Sequence, residues 1–341
     1  MTEFLNPTAT DTPAGIKDVA RAAGVSPATV SRVLGNGPVS EELRAKVEEA
    51  VKATGYRPNL SARRLRSQNT RTIGLIVADI RNPFFTAVSR VVEDLAYAKG
   101  MRVVLCNTDE NPEREAFYLR SMQEERVTGL IATPTRAMLE RLQKAPPQDL
   151  PMVLVDRTLP QSRFDSVIID NQQAAAQLID HLVATGCRRI AGIFGSSSST
   201  GQERYAGYCT ALHKHGLETL GHLVRPYAQE AEKCFADIWQ AHRPDAVIAS
   251  NSVLATGLLR AVHAQGLRVP QDIALAAFDD EPWTSLVDPG LTVVAQPVDQ
   301  IGQEAMSLLF DRIRTPAAQP RVVQLTSRLI IRGSSDTALP K

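Results

Sequence analysis

Residues 16–34, IKDVARAAGVSPATVSRVL, predict two short helices joined by a tight turn. Gly24 supplies the permissive backbone that such a turn needs. Ser26 is a natural N-cap for the second helix, and Pro27 at its first position requires no N–H partner there. The stretch is typical of a helix-turn-helix, although taken alone a helical hairpin inside a larger domain would be the simpler interpretation.

The two helices have distinct apolar and exposed faces. Val19, Ala20 and Ala23 lie on one face of the first helix, and Val30 and Val33 point inward from the second. A recognition helix reads base edges from its N-terminal end. The residues expected to contact DNA from this end are Ser26, Pro27, Ala28, Thr29, Ser31 and Arg32.

A third helix is expected after a loop that contains glycine and proline, with Ser40 as its cap and Gly55 at its end. Leu43, Val47 and Val51 would form its buried stripe. Together the three helices predict a small DNA-binding unit with little apolar core of its own.

The chain is basic directly after this unit, although its formal net charge is only +1. Between residues 50 and 78 there is no Asp or Glu, and the positive residues are Lys52, Arg57, Arg63, Arg64, Arg66 and Arg71. A solvated run of charge is the simplest explanation of such a patch. Its place behind a helix-turn-helix favours contact with DNA phosphates instead.

Bulk properties indicate a soluble protein of two or three domains. The chain has 341 residues, and 43% of them are hydrophobic. Four cysteines are widely spaced without a C-x-x-C pair, which is typical of reduced thiols in a cytoplasmic protein. Residues 1–14 are polar and read as a disordered extension, and no apolar run is long enough to span a membrane.

From Thr72 onward, short apolar runs alternate with helical segments, which predicts a doubly wound parallel sheet. The pattern restarts once, so two similar α/β lobes are expected. Strands are predicted at 73–78, 102–107, 129–133, 151–156, 166–170, 189–194, 222–225, 245–249 and 273–278. Helices are predicted at 84–99, 111–126, 135–143, 172–185, 202–215, 230–241 and 253–265.

Residues 23–66, AGVSPATVSRVLGNGPVSEELRAKVEEAVKATGYRPNLSARRLR, resemble the headpiece of the LacI/GalR family of bacterial regulators. The resemblance continues through almost all of the chain. It implies an N-terminal all-α headpiece and a periplasmic-binding-protein-like core of two doubly wound lobes. The implied bounds are a helix-turn-helix domain at 15–57, a hinge helix and linker at 58–71, and an effector-binding and dimerisation domain at 72–341. Lobe one would take 72–170 and 297–326, and lobe two 171–296 and 327–341.

The family resemblance assigns residues 58–71 to a hinge helix that folds on DNA, although a solvated linker is the alternative. Its expected DNA contacts are Asn59, Ala62, Arg63, Leu65 and Arg66. Leu65 matches the leucine that wedges between base pairs in the minor groove, where the protein–DNA contacts that the kink allows offset the cost of unstacking. The hinges of a homodimer would pair there, so the implied partner is double-stranded operator DNA.

Ligands of such sheets bind at the carboxyl ends of the strands, here in the cleft between the lobes. The resemblance places the effector contacts on Arg81, Phe84, Phe85, Arg157, Arg204, Asn251, Asp279, Trp283 and Gln296. For Phe84, Phe85 and Trp283, hydrophobic packing is an equally good explanation. Many family members that bind neutral sugars carry an Asp where this chain has Ser252.

With Arg81, Arg157 and Arg204 set against Asp279, the expected cleft has an excess of guanidinium groups, which suits a carboxylate ligand. The segment FDDEPWTSLVDPGLTVVAQP, residues 278–297, also resembles the ketogluconate-responsive repressors of the family. A sugar acid is therefore the expected effector, with 2-ketogluconate as the first choice. A neutral sugar or a co-repressor ligand remains the alternative.

Two other classes of protein compete with a regulator. A sugar-binding protein without gene regulation would use the core alone and leave the headpiece unexplained. A sugar-processing enzyme would need a nucleophile elbow, a phosphate-binding loop or metal-ligand spacing, and the sequence contains none of these motifs. The prediction is a non-enzymatic, cytoplasmic, homodimeric repressor that needs no cofactor or metal.

Overall fold

The computed structural model describes residues 14–35, 37–56 and 70–336. Its contacts divide the chain into two units, Met1–Gln68 and Asn69–Lys341. The hinge predictions on Asn59, Ala62, Arg63, Leu65 and Arg66, and the extension predicted at 1–14 apart from its last residue, lie outside the described residues.

Three helices form the described part of the first unit: α1 (Ile16–Ala23), α2 (Pro27–Leu34) and α3 (Glu41–Thr54). Gly24 ends α1 in the left-handed conformation, at φ 66°, which explains why glycine stands there. Ser26 caps α2 by accepting a hydrogen bond from the Thr29 N–H at 3.1 Å. Ser40 caps α3 in the same way, accepting from the Leu43 N–H at 3.4 Å. The predicted helix boundaries agree with the structure because they depend on such local signals.

The core of this unit is small. Its fully buried apolar residues are Val19, Ala20, Val30, Val33, Val47 and Ala50. The predicted stripe of α3 was partly wrong, because Leu43 and Val51 are only half-buried and Ala50 packs inward instead. The helix α3 is therefore rotated slightly about its axis, relative to the orientation predicted from Leu43, Val47 and Val51.

Lobe one is built on a six-stranded sheet with helices on both faces. Its strands are β1 (Thr72–Val77), β2 (Arg102–Asn107), β3 (Gly129–Ala132), β4 (Met152–Val155), β5 (Asp165–Ile169) and β11 (Val322–Leu325), in the order β11-β5-β4-β3-β1-β2. The helices between them are α4 (Pro83–Ala98), α5 (Pro112–Glu124) and α6 (Arg136–Lys144). All of its strand pairs are parallel.

Lobe two repeats this architecture. Its strands are β6 (Ile190–Gly195), β7 (Leu220–Val224), β8 (Ala246–Ala249), β9 (Ala274–Phe278), β10 (Thr292–Ala295) and β12 (Arg328–Ile330), in the order β12-β10-β9-β8-β6-β7. Its helices are α7 (Asn171–Ala184), α8 (Ser199–Lys214), α9 (Ala228–His242) and α10 (Ser252–Ala264). The strand β12 differs from its lobe-one counterpart because it runs antiparallel to β10.

The chain crosses between the lobes at three places, after β5, after β10 and after β11. The second crossing leads into α11 (Val298–Arg314), which packs on the lobe-one sheet. The predicted fold class is confirmed: a helical headpiece region precedes a two-lobed α/β core. No helix among the described residues is both long and apolar enough to cross a membrane.

Candidate functional site

The helix α2 has exposed residues at both ends. Ser26, Pro27 and Ala28 are exposed at its N-terminal end and Arg32 in its last turn, whereas Thr29 is half-buried. The hydroxyls of Ser26 and Thr29 lie 2.9 Å apart within the cap. Ser31, which directly precedes Arg32 in this helix, is half-buried. This part of the chain therefore presents small side chains together with one long cationic side chain, that of Arg32.

A cavity lies between the two lobes at the carboxyl ends of their strands, as the topology requires. It measures about 510 Å³, including the part open to solvent. Lobe one contributes Asp79, Asn82, Phe84, Phe85, Glu110, Asp156 and Arg157. Lobe two contributes Gly195, Ser198, Thr200, Gly201, Arg204, Pro226, Ser250, Asn251, Val253, Asp279 and Gln296.

The lobe-one wall combines two aromatic rings with an ion pair. Phe84 and Phe85 begin α4 and meet edge to face, with ring centroids 5.2 Å apart. Arg157 follows β4, and its guanidinium lies 5.7 Å from the centre of the Phe85 ring. It binds both carboxylate oxygens of Glu110, which follows β2. The lobe-one wall therefore places two aromatic rings beside the Arg157–Glu110 ion pair, whose charges cancel.

The lobe-two wall is organised around Arg204 of α8, which is deeply buried, since only 4% of its surface is exposed. Its Nε donates to Asn171 Oδ1 at 2.8 Å, and its Nη1 donates to the Ser250 carbonyl at 2.5 Å. Its guanidinium also lies over the Phe278 ring, 4.0 Å from the centroid. The third nitrogen, Nη2, is buried and has no hydrogen-bond partner among the described residues.

Two carboxylates take equivalent positions in the two lobes. Asp156 follows β4 and Asp279 follows β9, and both have left-handed backbones, with φ 69° and 76°. Their N–H groups donate to Val167 and Val294 of the next strand at the same distance, 2.9 Å. Non-glycine residues adopt this conformation at a cost, and such positions cluster at functional sites.

Burial shifts the pKa of two charged groups of the cavity, Asp156 and Arg204. It raises the pKa of the Asp156 carboxyl, and the negative charge of Asp279 acts in the same direction, whereas Arg157 and Arg204 oppose it. Burial also lowers the pKa of the Arg204 guanidinium, which Asp279 and Asp156 counteract.

Seven of the nine predicted effector residues line this cavity: Phe84, Phe85, Arg157, Arg204, Asn251, Asp279 and Gln296. Gln296 also donates to Asp279 Oδ1 at 2.7 Å, so the two form one polar edge. Glu110 and Asp156 also line the wall, although neither was among the predicted effector contacts. Glu110 follows the predicted strand 102–107 and Asp156 is the last residue of the predicted strand 151–156, so the same topological rule could have identified them.

Arg81 and Trp283 do not line the cavity. The Arg81 side chain is 58% exposed and forms ion pairs with Asp79 and Asp109. Trp283 packs against the apolar core of lobe two, which was its alternative interpretation.

The expected excess of guanidinium groups was also wrong. The cavity lining contains four carboxylates and two guanidinium groups, because Asp79, Glu110 and Asp156 join Asp279 while Arg81 lies outside. Glu110 neutralises Arg157. Arg204 is therefore the cation in this lining that keeps an unpaired donor. Across the part of the chain that the structure describes, no cluster of His, Cys, Asp or Glu could hold a metal ion.

Comparison with known proteins gives matches to both units. Residues 15–59 match the model of bacterial regulatory proteins of the lacI family, and residues 179–335 match the periplasmic binding protein-like domain. The HTH-type transcriptional regulator KdgR of Bacillus subtilis is 33% identical over 94% of this chain and 97% of its own length. The ribose operon repressor of Escherichia coli is 36% identical over 94% of this chain and 100% of its own length.

The fold is also similar to solved structures. The Lac repressor dimer bound to operator and the anti-inducer ONPF aligns with a TM-score of 0.85 at 26% identity. The alignment covers 95% of this chain and 99% of that one.

Proposed function

This chain belongs to the lacI family of bacterial regulatory proteins, and we propose that it represses sugar-acid catabolism genes and leaves a palindromic operator when a small sugar acid binds. The relatives described above are transcriptional regulators, which confirms the prediction that the chain is not an enzyme. Three parts of this function are proposed: the identity of the effector, the residues that bind it, and the homodimeric state.

The buried Nη2 of Arg204 is the observation that carries the effector proposal. A buried donor without a partner loses its hydration and gains nothing in return, which costs about 1–3 kcal/mol and more for a charged group. A ligand oxygen in the cavity would remove this cost. A carboxylate is the strongest acceptor for a guanidinium, because the hydrogen bond is then charge-assisted on both sides.

The remaining lining favours a ligand that also carries several hydroxyl groups. Asp156 and Asp279 can each accept hydrogen bonds from hydroxyls, and Asn251 and Gln296 offer amides. The rings of Phe84 and Phe85 supply an apolar face against which a sugar ring can lie. A polyhydroxylated acid such as 2-ketogluconate meets both requirements, with its carboxylate directed to Arg204.

A neutral sugar is the second candidate, and the charge of the cavity favours it. Four carboxylates against two guanidinium groups repel an additional anion, whereas hydroxyl donors suit that lining. One relative is a repressor of the ribose operon, and it is as similar to this chain as the other relatives. Ribose is therefore the neutral sugar to compare with the acids.

Titration calorimetry of the purified chain with 2-ketogluconate, gluconate and ribose tests the effector proposal. The acids should bind more tightly than ribose, and Arg204→Met should weaken them by about tenfold or more, since it removes a charged hydrogen bond. Arg189→Met is the matched control, because Arg189 is exposed in the same lobe and pairs with Asp245. Tight binding of ribose with no response to either acid would reject the sugar-acid effector in favour of the neutral sugar.

The proposed DNA contacts come from two segments. The described contribution comes from α2 and its N-cap, with Ser26, Pro27, Ala28, Thr29, Ser31 and, in the last turn, Arg32. The hinge contribution, Asn59, Ala62, Arg63, Leu65 and Arg66, rests on the family resemblance. Pro27 and Ala28 have no polar side-chain groups, so much of the affinity would come from the basic hinge and from pairing two copies of the chain.

A further inference from the structure

The loop that follows β1 in lobe one contacts lobe two directly. Asn82 caps α4 of lobe one, and its Oδ1 accepts from the Phe84 N–H at 3.1 Å. The same oxygen accepts from the hydroxyl of Ser252 at 3.2 Å. Ser252 is the first residue of α10 in lobe two, and both side chains are buried, at 8% and 2% exposure. A buried hydrogen bond thus joins the starts of two helices across the cleft.

A second contact between the lobes lies beside the first. The Arg81 guanidinium lies 5.2 Å from the ring centre of Tyr227, the residue that precedes α9 in lobe two. Asp79 and Asp109 fix this guanidinium from lobe one. The Arg81 guanidinium is therefore held at the edge of lobe one, where it makes a cation–π contact with Tyr227 of lobe two.

The geometry points to an interlobe clasp, formed by Asn82 with Ser252 and by Arg81 with Tyr227, that holds the lobes closed before the effector binds. Ser252, Arg81 and Tyr227 do not line the cavity, so they act on ligand binding through the position of the lobes. When the binding-competent state is only partly populated, the apparent affinity falls by that fraction. The clasp therefore determines how much of the effector's binding free energy is needed to close the lobes.

The clasp is also connected to the wall of the cavity. The Ser252 N–H donates to Asp279 Oδ2 at 3.2 Å. Ser252 therefore positions a proposed effector contact through its backbone and the opposite lobe through its side chain. An informative variant must remove the hydroxyl and keep the N–H, and Ser252→Ala does this.

Hydrogen–deuterium exchange of the full chain without effector tests the clasp directly. Ser252→Ala should raise deuterium uptake in peptides covering residues 79–85 of one lobe and 225–230 of the other. Ser89→Ala is the matched control, because its buried hydroxyl donates to the Phe85 carbonyl within lobe one, at 2.6 Å. It should leave the uptake of residues 225–230 unchanged. Tyr227→Leu keeps the buried hydrogen bond and should raise uptake at the same two segments, which covers the case in which Ser252→Ala fails to fold.

Calorimetry supplies the second readout, which rests on the proposed function. Ser252→Ala should weaken whichever of 2-ketogluconate or ribose binds by about fivefold, as expected for the loss of one hydrogen bond. Uptake equal to wild type in both Ser252→Ala and Tyr227→Leu would overturn the clasp. If neither sugar binds the wild-type chain, the effector proposal fails, and the exchange experiment still decides whether the clasp exists.

Discussion

Arg157 and Glu110 form a bidentate ion pair in the wall of the cleft, with Nη2–Oε1 at 2.6 Å and Nη1–Oε2 at 3.0 Å. Their side chains are only 4% and 9% exposed. A guanidinium that is paired in this way has little to offer a ligand carboxylate. The pair therefore leaves Arg204 as the cation of this lining that has an unpaired donor, which is why the effector proposal assigns the ligand carboxylate to it.

Breaking this pair should change ligand preference. Glu110→Gln keeps the shape but removes the negative charge, so Arg157 becomes available to an anion. The ratio of 2-ketogluconate affinity to ribose affinity should rise by about tenfold, and the free energy of unfolding should fall by about 1–3 kcal/mol. Calorimetry and urea denaturation measure the two effects. Glu113→Gln, at an exposed position of α5, is the control, and an unchanged affinity ratio in Glu110→Gln would show that Arg157 does not face the ligand.

Two serine caps allow a matched test of the DNA-facing helix. Ser26→Ala and Ser40→Ala each remove an N-cap hydrogen bond, which costs about 0.5–2 kcal/mol of stability. Only Ser26 lies at the end of α2 proposed to enter the major groove. Operator affinity, measured by fluorescence anisotropy, should fall further in Ser26→Ala than in Ser40→Ala. Equal losses would mean that Ser26 contributes to stability alone.

Glu281 should make the stability of lobe two depend on pH. Burial raises the pKa of its carboxyl to about 7, and the negative charges of Asp279 and Asp280 add to the effect. The folded state therefore binds a proton more tightly than the unfolded state, so this group's contribution to stability is lost as the pH rises from about 4.5 to about 7. Glu281→Gln should be more stable than wild type at pH 8, and its advantage should shrink toward pH 5. Denaturant titrations at four pH values would measure this trend, and a constant difference would contradict it.

Substitution of Leu65 should change operator affinity and leave effector affinity unchanged. Leu65→Ala should weaken operator binding by about tenfold or more if Leu65 wedges between base pairs. The side chain that keeps the kinked base-pair step unstacked is then missing. Effector affinity should stay unchanged. Leu60→Ala is the control within the same segment. A gel shift with normal operator affinity for Leu65→Ala, or a larger loss for Leu60→Ala, would remove Leu65 from that role.

The fold was predictable because its signals are local. Gly24, Ser26, Ser40 and Gly55 mark the ends of the headpiece helices, and each residue has its expected role in the structure. Buried parallel strands appear in the sequence as short apolar runs, so the two lobes were recognisable. The antiparallel direction of β12 was not, because pairing between distant strands leaves no local pattern.

The cavity was predictable only in part. Topology placed the site at the carboxyl ends of the strands, and the family resemblance then assigned Arg204 and Asp279 to it. The charge balance was not predictable, since it depends on which side chains pair. Arg81 is drawn outward by Asp109, and Arg157 is neutralised by Glu110, and both acidic residues are distant in sequence from their partners.

Operator affinity measured with and without 2-ketogluconate tests whether a sugar acid releases this chain from DNA. The full chain would first be used to select an operator from genomic DNA fragments, and its affinity would then be measured by fluorescence anisotropy across a 2-ketogluconate titration. Saturating 2-ketogluconate should weaken the operator complex by about 5- to 150-fold, and Arg204→Met should abolish this response without weakening the effector-free complex. An operator affinity that does not change, or that increases, when 2-ketogluconate is bound would contradict release by a sugar acid.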